Sequence, residues 1–154
     1  MQQDSRRWLW WLAVGAWIAV VFGFSSDGFS AESTSRFIEP LLRWIFPELS
    51  GAAREQLHFL VRKGAHAFEY AVLAALAYGA QRDWSSPARS MGFALALVFA
   101  VAIADETHQR FAASRTGSAA DVSIDVAGGL TALLLLAGLR KLDQMRRPQH
   151  EPSR

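Results

Sequence analysis

MGFALALVFAVAIADETHQ, residues 91–109, decides the fold. Met91 to Ala104 carries no charge, and then Asp105, Glu106, His108 and Gln109 arrive together. A helix of a soluble bundle shows polar residues every three or four positions. This stretch shows none until its end, as a membrane-spanning helix of about 20 residues would. Three other runs read alike. Trp8 to Phe24 is seventeen residues without a charge, Ala65 to Ala80 is apolar apart from His66, Glu69 and two tyrosines, and Val126 to Leu139 is apolar. We read an all-α polytopic membrane protein with four transmembrane helices at 8–25, 62–81, 90–111 and 119–140. A soluble four-helix bundle is the alternative fold, and a cleaved signal peptide the alternative for the first run.

Composition agrees. The 154 residues are 51% hydrophobic and 19% charged, against about 25% charged in soluble domains. Cysteine is absent, which excludes disulfides, zinc–cysteine sites, iron–sulfur clusters and a thiol nucleophile. The net charge is only +2 and no basic stripe is interleaved with aromatics, so nucleic acid is not expected as a partner. Lysine and arginine beside the spans number nine on the N-terminal side against seven on the other. This favours both termini in the cytoplasm of a multi-pass protein of the bacterial inner membrane. Residues 1–7 are then a cytoplasmic N-terminus, 8–140 the membrane domain, 26–61 an extracytoplasmic loop, and 141–154 a disordered cytoplasmic tail. Within the loop, Phe37, Leu41, Leu42, Trp44, Ile45 and Phe46 alternate with Arg36, Glu39 and Arg43, an amphipathic segment suited to the membrane interface. Pro47 ends it, and Ser50 can cap the helix that follows.

The polar residues of the spans fall at one level. At 1.5 Å per residue, His66, Asp105 and Asp125 lie about 22, 21 and 22 Å of helix from Gln81, Met91 and Arg140. Lys63, His66 and Tyr70 share one stripe with Glu69 at its edge. Asp105, His108 and Gln109 share another with Glu106 beside them, and Asp121, Asp125 and Gly128 a third. Ser25, Ser26, Asp27 and Arg115 are on the same side. Charges inside a bilayer are costly and mark a functional site by default. The candidate ligand-binding residues are Lys63, His66, Tyr70, Asp105, Glu106, Gln109, Arg115, Asp121 and Asp125. His66, Asp105, Glu106 and His108 are the acid–base candidates. A structural salt-bridge network is the competing reading. Ser118-x-x-Asp121 also reads as a capping box, Arg115-Thr116-Gly117-Ser118 as a turn, and Gly128 and Gly129 as close helix packing. No metal spacing such as HExxH occurs, so no metal and no other cofactor is expected. His58 and His150 read as solvated, and Trp8, Trp10, Trp11 and Trp17 as interface anchors facing lipid.

Read in order, Phe24-Ser25-Ser26, Lys63-x-x-His66-x-x-x-Tyr70-x-x-Leu73, Asp105-Glu106-x-His108-Gln109-x-Phe111, Arg115-x-x-Ser118-x-x-Asp121-Val122 and Gly128 resemble the VanZ-like family of small bacterial membrane proteins. The resemblance covers about residues 10–139. It implies a cell-envelope membrane protein and, through the family's first-described member, a link to teicoplanin and glycopeptide resistance. Asp125 stands where the family often has Asn. The resemblance brings no defined reaction, so three functions stay open. The chain binds an anionic lipid or lipid-linked envelope precursor at the outer face, with Lys63 and Arg115 meeting phosphate. Or it is an intramembrane enzyme acting on a lipid head group. Or it is a structural or partner-binding protein.

Overall fold

The computed structural model describes residues 7–26, 28, 30–111 and 118–146. They form five helices: α1 (Arg7–Phe24), α2 (Ala31–Ile45), α3 (Gly51–Gln81), α4 (Pro87–Gln109) and α5 (Ala119–Arg146). Serine punctuates them. Ser30, Ser50 and Ser86 each accept a backbone N–H three residues on, at 3.2, 3.2 and 3.4 Å. Ser118 does the same for Asp121 at 3.2 Å. Each bond satisfies one of the N–H groups that a helix start leaves open. Pro87 follows its cap at the first helical position, where its fixed φ costs nothing. α2 tolerates Pro40 in its interior, giving up the bond to the Arg36 carbonyl. It ends at Phe46, before Pro47.

α1, α4 and α5 are long and apolar enough to cross a membrane. α3 is not on length and composition, which corrects the expectation of four such spans. The reason is its position. α3 packs chiefly on α5, then on α4, α1 and α2. It buries Tyr70, Leu73, Ala74, Ala77 and Tyr78. A helix shielded by its neighbours needs less apolar surface of its own and can carry small and polar residues. At about 46 Å α3 also outreaches a ~30 Å hydrocarbon core. Its first turns carry α2, which turns Leu42 inward and leaves Phe37 and Trp44 80% and 81% exposed. α5 likewise runs on past residue 140. Residues 141–146 are helical rather than a disordered tail, because Lys, Leu, Gln, Met and Arg are good helix formers and Arg146 suits a helix C-terminus.

The core joins Val14 and Val21 of α1, Tyr70 to Ala77 of α3, Ala94, Val98 and Ala102 of α4, and Leu133 of α5. Glycine sets the closest approach. A Cβ on Gly128 would lie 2.2 Å from the Ala67 carbonyl oxygen, and one on Gly129 2.9 Å from a Val98 methyl. The packing role read from the sequence for these two glycines therefore holds. At the far end of the bundle, Arg7 stacks on Trp84 at 4.3 Å, Arg140 on Tyr78 at 4.8 Å and Arg82 on Trp10 at 5.8 Å. Such arginine–aromatic stacks suit an interfacial belt. Trp10 lies against Gly79, and the Trp17 indole donates to the Glu69 carbonyl at 2.8 Å. Trp17 is therefore a packing residue rather than lipid-facing bulk, while Trp10, still 36% exposed, covers Gly79 and keeps a place at the interface.

Candidate functional site

The end opposite the arginine belt gathers polar side chains from four helices. Lys63 on α3 pairs with Asp121 on α5. His66 Nδ1 lies 3.7 Å from Asp125 Oδ1. Gln109 on α4 donates to Asp105 Oδ2 at 2.9 Å and to Ser25 Oγ, at the end of α1, at 3.3 Å. Glu106 Oε2 accepts the Ser118 backbone N–H at 2.6 Å, so its carboxylate holds the start of α5. Ser118 is the cap and Asp121 is not occupied with capping: its carboxylate reaches α3.

Most of this cluster is closed. Asp105 and Asp125 are 0% exposed, and Tyr70, Glu106 and Gln109 are buried as well. The Tyr70 hydroxyl, Asp105 Oδ1, Glu106 Oε1 and both Asp125 oxygens have no hydrogen-bond partner among the described residues. The inner cluster is rich in carboxylates, and its nearby lysine is engaged by Asp121. An anion would meet repulsion there. Among the described residues, no three His, Asp or Glu side chains converge as a metal requires.

His108 departs from the reading of the sequence. It is exposed and sits edge-on to Phe22 at 5.7 Å, outside the cluster. At about 100° per residue, the buried face of α4, with Val98, Ala102, Asp105 and Gln109, centres near Gln109, which turns His108 about 100° away and keeps Glu106 within it. Arg115 and Asp27 lie outside the described residues, as does His150.

An open cleft of about 250 Å³ adjoins the cluster. Thr34 and Ile38 of α2 form one wall, and Val61, Arg62, Ala65, His66 and Glu69 of α3 the other, with Phe24 of α1 at its side. The spacing Arg62, His66, Glu69 is one stripe of a helix. Of the described site residues read from the sequence, only His66 reaches the cleft. Arg62 and Thr34 were missed, Arg62 because it counts merely as a loop charge until α2 is seen beside it.

Residues 10–140 match the family model described as VanZ/LLP1. The chain belongs to this VanZ-like family. Searches of curated proteins and of solved structures return no match. With three helices able to cross a bilayer, this VanZ-like chain is a membrane protein.

Beside the cleft, His58 of α3 meets Thr34 of α2 and is not solvated as its sequence position suggests. Its Nε2 lies 3.3 Å from Thr34 Oγ1, and the Thr34 hydroxyl donates to the Ser30 carbonyl at 2.8 Å. Burial first, then the nearby Arg62, hold the His58 imidazole below its ordinary 6.5, against a smaller upward pull from Glu39. A depressed folded-state value means that the unfolded chain takes the proton more readily. The stability His58 contributes is therefore full above about pH 6.5 and is lost as pH falls below it. Between about pH 7.5 and pH 5 the wild type should lose more thermal stability than His58→Gln does, measured as melting temperatures in detergent. Equal losses would contradict this.

Proposed function

We propose that this VanZ-like protein lies in the bacterial cytoplasmic membrane with α3 as a fourth crossing, both termini inside, and binds an anionic lipid or lipid-linked envelope precursor at the outer face. The observation that carries this reading is the cleft between α2 and α3. It opens at the polar end, has apolar walls for an acyl chain, and is bounded by a helix whose exposed aromatic edge suits the membrane interface. An arginine at the mouth of such a cleft can hold a head-group phosphate through charge-assisted hydrogen bonds. Occupying an envelope lipid's head group is also a route to altered glycopeptide susceptibility.

The couple of His66 and Asp125 supports a second reading, an intramembrane enzyme with His66 as general base and Asp125 orienting it. Among the described residues, the hydroxyl that lines the cleft, Thr34, is engaged by the Ser30 carbonyl and His58, so binding is the stronger proposal. The test is native mass spectrometry of the detergent-purified protein offered phosphatidylglycerol and phosphatidylcholine in equal amounts. We expect the anionic lipid to be retained in preference by about tenfold, equivalent to one charge-assisted contact. Equal retention, or none, contradicts the reading. A purely structural cluster would give that result.

A further inference from the structure

We propose that Arg62 is the phosphate-binding residue and that the lipid lies in the α2–α3 cleft with its phosphate at Arg62 and an acyl chain along Ile38, Val61 and Ala65. The assignment rests on the lipid-binding reading above and moves its cation from Lys63 to its neighbour. The two residues adjoin in sequence but point apart. A helix turns about 100° per residue, so Lys63 faces α5 and is engaged by Asp121, while Arg62 faces the cleft. Arg62 is part-buried and has no ion pair among the described residues.

Depth agrees. Arg62 is nineteen residues from Gln81, about 28 Å of helix, and the arginine belt with Arg82 marks the other boundary. A hydrocarbon core is ~30 Å thick. Arg62 and Val61 therefore stand at head-group level, and Ala65, about a turn deeper, marks the start of acyl level. A guanidinium binds phosphate oxygens through two parallel N–H donors. The Glu69 carboxylate also lines the cleft, but it lies seven residues, about 10 Å of helix, deeper than Arg62, away from the level of the phosphate.

The experiment titrates phosphatidylglycerol into wild type, Arg62→Gln, Lys63→Gln and Ala65→Trp, read by native mass spectrometry. Arg62→Gln should weaken binding about tenfold. Lys63→Gln should change it less than about threefold. Ala65→Trp, which fills the cleft and leaves Arg62 in place, should also weaken it. Excess inorganic phosphate should not displace the lipid, since the acyl chain contributes; displacement would make the site one for free phosphate and overturn the proposal. Loss in Lys63→Gln with Arg62→Gln unaffected overturns this assignment and leaves lipid binding standing. Absence of binding in the wild type overturns both.

Discussion

Gly128→Ala destabilises the bundle by about 3 kcal/mol, the upper end of the cost of overpacking. The sign is informative, because alanine in place of glycine normally stabilises a helix by about 1 kcal/mol. Here the added methyl would lie 2.2 Å from the Ala67 carbonyl oxygen and 2.8 Å from the Ala67 carbonyl carbon and Cα. The obstacle is backbone, so no rotamer relieves it and α3 must separate from α5. That is the most extensive helix contact in the molecule, and it carries the Lys63–Asp121 and His66–Asp125 pairs. Gly138→Ala is the matched control. A Cβ there meets nothing within 4 Å, and the substitution should be neutral or slightly stabilising. Thermal unfolding in detergent, followed by circular dichroism, checks both. Equal behaviour of the two variants would mean that the helices are not in backbone contact at Gly128.

Glu106→Ala is expected to cost about 2–3 kcal/mol, the range of a hydrogen bond to a charged group. The carboxylate accepts the Ser118 N–H at 2.6 Å, at the positive end of the α5 dipole, and the residue is buried. Removing it leaves an N–H at the helix start without its acceptor. Glu106→Gln keeps an acceptor oxygen and should cost about 1 kcal/mol. The same unfolding measurement separates the two. If Glu106 served only catalysis, both variants would unfold like the wild type.

The sequence revealed the membrane helices where their apolar runs are uninterrupted, as in 8–24 and 91–104. It revealed the level of the polar cluster because rise per residue is fixed. It also pointed to Gly128 and Gly129. It misled where tertiary packing decides. α3 reads as a short span because its polar stripe cannot be assigned a side until α5 and α2 are placed around it. His108 sits beside Gln109 in a run of polar residues, and only the centre of the α4 buried face excludes it. Arg62 and Lys63 look equivalent in sequence, and one helical step sends Lys63 to Asp121 and Arg62 to the cleft. His58 becomes part of the fold only once Thr34, on another helix, is brought to it.

On the proposed reading, the polar end of the bundle, and not the arginine belt, holds an anionic lipid. The competitor is real, since Arg7, Arg82 and Arg140 also present cations at a membrane boundary. The most direct measurement is photocrosslinking of a phosphatidylglycerol that carries its reactive group near the head of one acyl chain, followed by peptide mapping. Adducts should concentrate on Ile38, Val61 and Ala65. Adducts concentrated beside Trp10, Tyr78 and Trp84, or spread evenly along the helices, would contradict it.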